Sequence, residues 1–429
     1  LTALTAATTL LACAKMAPPP GGPVDKVPPV LLSTVPESVG VYPKWDKDVE
    51  FRFDEIVSEG NTPSQGFGTG DLERLILLSP SHEIPRIKWK RDRITVRPRE
   101  GWKPNRVYRI ELLPGIVDLR RNKTDTSIVI TFSTGGPLPT DTIKGQAVDW
   151  VAGTYARQAL IALALMPDTL IYRTLTDSSG RFQLGPLPRG EYVAFAVLDN
   201  NHNLQKEDRE PFDSVRVPQG TTAIPALWIY PHDSVGPRIS GITPNDSVSA
   251  TIAFTQPLDP RQRFDSLKVL LRELPDSTPV RVASLVPKPV DDSLQLLVRA
   301  RIDSLRADSI ARDTAAARAD TSGGKKPKAL PPPAPVRLPS RPSPGAADST
   351  ALKQLLAQRP ALFDKLVIRV DSALKPGGKY VVDMPGIRNV NGVASEEARA
   401  GFTAPEIKEE KIDSVVSDTS AAQPGAGNP

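Results

Sequence analysis

The sequence contains few of the residues on which disulfides, metal clusters and most catalytic sites depend. Its 429 residues include one cysteine, three histidines and 5% aromatic residues. One cysteine excludes an intramolecular disulfide and any zinc site built on several thiolates. The histidines lie in polar, turn-like stretches with no serine elbow or cysteine beside them, so no nucleophile–base pair is indicated. We predict that the protein is not an enzyme.

Proline and glycine are plentiful, whereas long hydrophobic stretches are not. The chain has 45 prolines and 29 glycines, and 39% of its residues are hydrophobic. Many turns, short strands and a length of several domains are typical of all-β modules on linkers. We therefore predict tandem β-sandwich modules, Ig-like or transthyretin-like, with a disordered linker and tail.

The positive charge is concentrated in one segment. Residues 301–360 contain 11 Lys/Arg and 5 Asp/Glu, a balance of +6, which leaves −1 for the rest of a chain whose net charge is +5. A basic nucleic-acid-binding face would be spread over a folded surface. We therefore expect no nucleic-acid partner.

The single cysteine, Cys13, directly follows the uncharged run Leu1 to Ala12. Such a run has the length of an export-signal core and is too short to span a bilayer. Leu10-Leu11-Ala12-Cys13 resembles the lipobox of bacterial lipoproteins, which implies cleavage before Cys13 and diacylation of its thiol. We interpret residues 1–26 as a signal peptide truncated at its N-terminus, a lipobox and a tether. The alternative is a buried or adventitious cysteine after an ordinary hydrophobic terminus.

The lipobox resemblance also implies a location. A lipid on Cys13 would attach the protein to a membrane, and two acyl chains make such attachment stable. Ala14 follows the cysteine, where the resembled sorting rule uses Asp for inner-membrane retention. We expect a lipid-anchored protein of the bacterial cell envelope at the outer membrane, with its periplasmic or surface orientation open.

Residues 27–135 have the pattern of a β-sandwich. Val49, Phe51 and Phe53 alternate with polar residues, which predicts a strand with one buried face. Two further strands, 84–90 and 93–97, are separated by the polar pair Arg91-Asp92, which predicts a hairpin.

The same order of signals recurs in residues 236–405, which indicates a duplicated module. Trp102-Lys103-Pro104-Asn105-Arg106-Val107-Tyr108 is matched by Leu374-Lys375-Pro376-Gly377-Gly378-Lys379-Tyr380. This Lys-Pro turn before a Tyr-bearing strand resembles the SbsA-type bacterial Ig-like domain. We expect a strand from Leu294 to Ala300, a low-complexity insertion at 303–358 and a disordered tail at 406–429.

Residues 138–232 have a signature of their own. Thr176-Asp177-Ser178-Ser179-Gly180-Arg181-Phe182 predicts a strand, a tight turn and a second strand. This segment resembles the carboxypeptidase regulatory-like domain, a transthyretin-like sandwich. The resemblance implies a non-catalytic accessory fold that serves as a spacer or binding platform.

One run in this middle module is rich in oxygen ligands. Asp199, Asn201, Asn203 and Glu210 occupy positions one, three, five and twelve, as in an EF-hand-like calcium loop. Position six, where such a loop prefers glycine, is Leu204. A Ca²⁺ site and an ordinary Asx-rich loop therefore both remain open, and no other cofactor is indicated.

The function predicted from the sequence is structural or binding. The Ig-like modules would present loops or edges to an envelope protein or a polysaccharide. The alternative is a carbohydrate-binding or Ca²⁺-dependent adhesin that acts through the middle module. The five tryptophans fit core packing, with a sugar-stacking platform as the alternative.

Overall fold

The structure is a computed structural model that describes residues 25–58, 72–319 and 344–406. The chain divides into two compact units. The first contains residues up to Asp149 and Thr154–Pro231, and the second contains Trp150–Gly153 and the residues from His232. Within the described ranges, strands in several sheets make up most of the regular structure, so the all-β prediction is confirmed.

The first unit begins with a two-sheet sandwich around its own hydrophobic core. One sheet has the strand order β1-β2-β6-β5 and the other β4-β7-β9, with β3 and β8 paired separately. A short 3₁₀ helix, Leu72–Leu75, precedes β4. The strands are β1 (Leu31–Val35), β2 (Val49–Phe53), β3 (Val57–Ser58), β4 (Ile76–Ser79), β5 (Arg86–Lys90), β6 (Arg93–Arg97), β7 (Val107–Leu112), β8 (Val117–Asp118) and β9 (Ile128–Ser133).

Two local predictions for this sandwich are confirmed. Val49, Phe51 and Phe53 are at most 1% exposed, and they pack in the core while the alternate side chains point outward. β5 and β6 are antiparallel neighbours joined at Arg91-Asp92, with Lys90 opposite Arg93. Arg91 has φ +56°, the left-handed conformation that a two-residue hairpin turn requires.

A second sandwich, the middle module, completes the first unit. Its sheets have the orders β11-β10-β14, with β17 parallel to β10, and β13-β12-β15-β16. A separate core fills the space between them. The strands are β10 (Asp141–Asp149), β11 (Thr154–Tyr155), β12 (Leu160–Leu165), β13 (Leu170–Leu175), β14 (Arg181–Leu187), β15 (Tyr192–Val197), β16 (Phe212–Val217) and β17 (Leu227–Ile229).

The second unit repeats the strand order of the first sandwich, with the additional strand β21 at the edge of one sheet. Its sheets have the orders β18-β19-β23-β22 and β21-β20-β24-β25. The strands are β18 (Ile239–Pro244), β19 (Ser249–Phe254), β20 (Leu270–Leu274), β21 (Thr278–Val280), β22 (Val282–Pro287), β23 (Lys365–Val370), β24 (Lys379–Asp383) and β25 (Arg399–Thr403).

The correspondence between the two copies extends to individual hydrogen bonds. Lys103 N donates to Tyr108 Oη at 2.8 Å, and Lys375 N donates to Tyr380 Oη at 2.9 Å. The Tyr108 ring stacks on Phe132 with the ring centroids 5.7 Å apart, and the Tyr380 ring stacks on Phe402 with the centroids 5.6 Å apart. The recurrence of the Lys-Pro and Tyr signals in sequence thus reflects one repeated turn and one repeated core contact.

The insertion in the second copy interrupts a hairpin. β22 and β23 are antiparallel neighbours, like β5 and β6, but the polar turn is replaced by residues 288–364. This stretch includes the helices α1 (Lys288–Ala319) and α2 (Pro344–Leu356). Hairpin loops tolerate long insertions because the strands on either side carry the pairing.

The strand predicted from Leu294 to Ala300 is wrong, because these residues lie in α1. The run has no period-two alternation, and leucine, glutamine, arginine and alanine are good helix formers. Asp291 fixes the start of the helix to the sheet. It is 2% exposed, and its Oδ1 accepts a 2.6 Å bond from Arg369 Nη2 in β23.

Candidate functional site

Buried polar side chains collect where the first sandwich packs against the middle module. Arg109 Nη1 donates to Glu111 Oε2 at 2.7 Å, and these side chains are only 6% and 8% exposed. Thr174 Oγ1, from β13, donates to the same carboxylate oxygen at 3.0 Å. The carboxylate therefore binds both modules. We call this contact between β4 and β7 on one side and β13 on the other the module joint.

Further hydrogen bonds cross the module joint around Arg173. Its backbone N–H donates to Ser79 Oγ at 2.8 Å, and its Nη1 donates to Ser81 O at 2.7 Å. Tyr172 Oη donates to Val107 O at 3.3 Å. Burial lowers the pKa of Arg173 to about 10, against an opposing effect of Glu100, so the guanidinium stays charged at neutral pH.

The two strands of the first sandwich at the module joint, β4 and β7, are buried on both faces. Every residue of β7 is buried, although Arg109 and Glu111 lie opposite its core-facing residues Tyr108 and Ile110. β13 is the edge strand of its sheet. An edge strand needs partners for its outward backbone groups, and Ser79 provides one for Arg173. The module joint thus covers both the edge strand β13 and the charged face of β7 that carries Arg109 and Glu111.

A cleft of about 920 Å³ opens beside the module joint. Its charged lining comprises four basic and three acidic side chains: Arg109, Lys144, Arg157, Arg181, Glu111, Asp125 and Asp177. Arg109 Nε is buried and has no hydrogen-bond partner within the described ranges. The cleft is therefore lined by side chains of both charges, with one more basic than acidic.

The tight turn predicted around Gly180 forms one edge of this cleft. Asp177 Oδ1 accepts from Ser179 N, Ser179 Oγ and Arg181 N at 2.8 to 2.9 Å. Burial would raise the pKa of Asp177, but these hydrogen bonds outweigh it and lower the pKa. Gly180 has φ +70°, and an added Cβ would collide with Ala147 O. The turn therefore requires glycine at this position.

The structure brings the predicted calcium-loop residues together. Asn203 N donates to Asp199 Oδ1 at 3.1 Å and to Asn201 Oδ1 at 2.9 Å. Asn200 N donates to Glu210 Oε1 at 3.0 Å, so the twelfth position folds back on the first. Leu204 has φ +58° and adopts the left-handed conformation for which glycine was expected.

A separate acidic cluster lies in the first sandwich. Carboxylate oxygens of Asp25, Glu55 and Asp118 lie within 4.8 Å of one another. Burial, followed by the charges of Asp118, Asp25 and Asp54, raises the pKa of Glu55 from 4.5 to about 6. Sequence reasoning missed this cluster because its members are far apart in the chain.

The other predicted positions have different outcomes. Cys13, with the predicted signal, lipobox and most of the tether, lies outside the described residues, as do residues 407–429 of the predicted tail. Trp45, Trp89 and Trp102 pack against the core of the first sandwich, and Trp228 is 3% exposed. Core packing of these four is confirmed. In the described residues, no helix is long and apolar enough to cross a bilayer.

Comparison with known proteins identifies the class of the first module. Residues 25–134 match the family model of the bacterial Ig-like domain. The first sandwich therefore corresponds to a bacterial Ig-like domain, and the second unit has a similar strand order in its sheets. A search of curated proteins finds no match.

Solved structures with partial similarity include an L,D-transpeptidase from Mycobacterium smegmatis, at 15% identity and a TM-score of 0.18, over 48% of this chain and 77% of that one. The major pilin subunit BcpA of Bacillus cereus gives 7% identity and a TM-score of 0.16, over 48% and 71%. Surface layer protein SbsC, domains 1–6, gives 8% identity and a TM-score of 0.18, over 89% of this chain and 54% of that one. TM-scores of this size carry no argument about function.

Proposed function

We propose that this chain is a lipid-anchored protein of the bacterial cell envelope with a structural or binding role and no catalytic one. The observation that carries the proposal is the bacterial Ig-like domain that begins at residue 25, shortly after the lipobox-like Leu10-Leu11-Ala12-Cys13. A lipid on Cys13 would hold this domain near the membrane. The module joint would then make the middle module a fixed extension of the anchored domain.

Detergent-phase partitioning tests the anchor. The protein is expressed in a diderm bacterium with a start codon and a basic n-region added before Leu1, and the protein with Cys13 intact is compared with Cys13→Ser. We expect the unmodified protein in the detergent phase and the variant in the aqueous phase, because two acyl chains account for stable attachment. A Cys13→Ser protein that stays in the detergent phase would contradict the proposal.

Protease treatment of intact cells then gives the orientation. Cleavage of the anchored protein would place the modules on the cell surface, whereas protection would place them in the periplasm. Ala14→Asp is the matched sorting variant, and we expect it to move the protein to the inner membrane without loss of anchoring.

A second candidate function is binding of an acidic polysaccharide in the cleft beside the module joint. The charge of the lining supports it, because four of the seven charged side chains around the cleft are basic. Lys144, Arg157 and Arg181 add exposed positive charge from the middle module. These three exposed side chains can attract a polymer of carboxylated sugars and bind it through charge-assisted hydrogen bonds.

A binding assay on arrayed acidic and neutral glycans tests this candidate. We expect the double variant Arg157→Ala/Arg181→Ala to lose at least about tenfold in affinity, since hydrogen bonds to charged groups are worth about 1.5–3 kcal/mol each. Arg216→Ala is the control, because Arg216 is exposed on β16, at the other edge of the sheet from β13. Equal affinity in the double variant and the control would reject the cleft.

A further inference from the structure

We propose that residues 199–210, the acidic loop, bind one Ca²⁺ ion and that this ion fixes the module joint. The starting observation is a pair of buried carboxylates without a counter-cation. Asp199 and Glu210 are 8% and 5% exposed, and neither forms an ion pair within the described ranges. A buried carboxylate is costly unless it is paired or coordinates a metal.

The second carboxylate oxygen of Glu210 indicates that the ligand is a cation. Glu210 Oε1 accepts from Asn200 N, but Glu210 Oε2 is buried and has no hydrogen-bond partner in the described part of the chain. The orphaned atom belongs to a carboxylate held against the backbone beside Asp199. A cation is the natural partner for such an atom, because the nearby backbone donors already bond to other oxygens.

The remaining oxygens of the acidic loop converge on the same turn. Asp199 Oδ2 accepts from Leu204 N at 2.7 Å, and Asn203 Oδ1 accepts from Gln205 N at 2.8 Å. Asn203 Nδ2 donates to Glu207 Oε1 at 2.6 Å, which fixes the amide orientation. Each of these acceptor oxygens keeps a second lone pair for a metal.

The chemistry of this donor set selects calcium. Carboxylate and amide oxygens suit a hard cation, and Ca²⁺ accepts six to eight such ligands from an irregular cage, whereas Mg²⁺ requires a stricter octahedron and retains water. His202, whose imidazole nitrogen would favour a transition metal, is exposed. Lys206 does not replace the ion, because its Nζ lies over the Phe212 ring at 4.3 Å and pairs with Asp208.

The acidic loop also contacts the first sandwich. Asn203, Leu204 and Gln205 line a crevice of about 20 Å³ together with residues of the Ig-like domain, among them Leu77 and Leu78. Because Leu204 follows directly on the ligand-bearing turn, an ion that holds the turn also holds this contact. Ca²⁺ binding by the acidic loop does not depend on lipid attachment.

Calorimetric titration with Ca²⁺ tests the site. The full chain carrying Cys13→Ser is freed of metal with chelator and titrated with CaCl₂. We expect one Ca²⁺ per chain, with a Kd of about 10⁻⁴–10⁻³ M as in extracellular modules. Saturation should raise the Tm recorded by tryptophan fluorescence by roughly 5–10 °C when Ca²⁺ exceeds its Kd about a hundredfold. No heat and no shift at about 10 mM Ca²⁺ would overturn the proposal.

Glu210→Gln separates a calcium site from a merely structural acid. The variant keeps an acceptor for Asn200 N–H and removes the buried charge. We expect it to lose the Ca²⁺ heat and the Tm shift, and to be at least as stable as the unmodified chain in chelator. A lower Tm in chelator together with an intact Ca²⁺ response would overturn the proposal.

Glu55→Gln is the matched control, because it lies in the other acidic cluster. We expect it to leave the Ca²⁺ heat and stoichiometry unchanged. Binding that is lost in Glu55→Gln but retained in Glu210→Gln would place the ion in the first sandwich and contradict the assignment.

Discussion

Substitution of Glu111 by glutamine removes the negative charge from the module joint. The Arg109 guanidinium, 6% exposed, would then have no anionic partner within hydrogen-bonding distance. Breaking a buried pair by removing one partner costs about 3–5 kcal/mol. The upper end is expected, because Arg173, a second buried cation, donates across the same joint. For a unit of this size, that cost corresponds to a Tm lower by roughly 6–20 °C.

Tryptophan fluorescence during thermal unfolding is the appropriate assay, since Trp45, Trp89, Trp102 and Trp228 all lie in the first unit. The matched control is Glu50→Gln. It breaks the pair Arg93–Glu50, whose N–O distance is 3.1 Å but whose side chains are 44% and 31% exposed. Such a pair is worth about 0–1 kcal/mol.

The double variant Arg109→Met/Glu111→Leu distinguishes the cost of leaving the Arg109 charge buried and unpaired from the cost of losing the Arg109–Glu111 contact. We expect it to recover most of the stability lost in Glu111→Gln, because well-packed apolar residues often replace a buried ion pair without loss. Equal and small effects of Glu111→Gln and Glu50→Gln would refute the reasoning that the middle module desolvates this pair.

Three further predictions concern the repeated turn, the helix anchor and the acidic cluster. Tyr108→Phe and Tyr380→Phe should each cost about 0.5–1.5 kcal/mol by calorimetry, because each removes the same Lys N–H acceptor; clearly unequal costs would contradict the equivalence of the copies. Asp291→Asn should speed amide exchange at the start of α1 by weakening the bond to Arg369, and unchanged exchange would refute that anchor. Because the pKa of Glu55 is raised in the folded chain, Glu55 contributes stability that is fully present below pH 4.5 and is lost as pH rises to about 6. Glu55→Gln should abolish this loss of stability between pH 4.5 and about 6. An unchanged pH profile of stability in Glu55→Gln would contradict the assignment to Glu55.

Local patterns were sufficient to predict the sandwiches. The alternation of Val49, Phe51 and Phe53, and the polar pair Arg91-Asp92, each involve neighbours in sequence, and the structure confirms both. The run from Leu294 to Ala300 was misassigned because a short apolar segment without alternation does not distinguish a strand from a helix.

The module joint could not be predicted in this way. Arg109 and Glu111 alternate with core residues along β7 and therefore resemble a solvated face. Packing against β13, which includes Arg173 and Thr174, makes that face an interior. The acidic cluster was missed for a similar reason, since Asp25, Glu55 and Asp118 meet through tertiary structure. The acidic loop could be singled out in the sequence because its oxygen-bearing side chains are close together, whereas the unpartnered, buried Glu210 Oε2 is evident only in the folded structure.

The most direct test of the central claim, that the first two sandwiches form one fixed unit, is the hydrogen exchange of the Arg173 amide. This amide belongs to an edge strand and donates to Ser79 Oγ across the module joint, so its protection reports the joint itself. We predict protection close to that of central β12 and a large loss of protection in Glu111→Gln. Rapid exchange typical of a frayed edge strand, unchanged by the substitution, would contradict the claim.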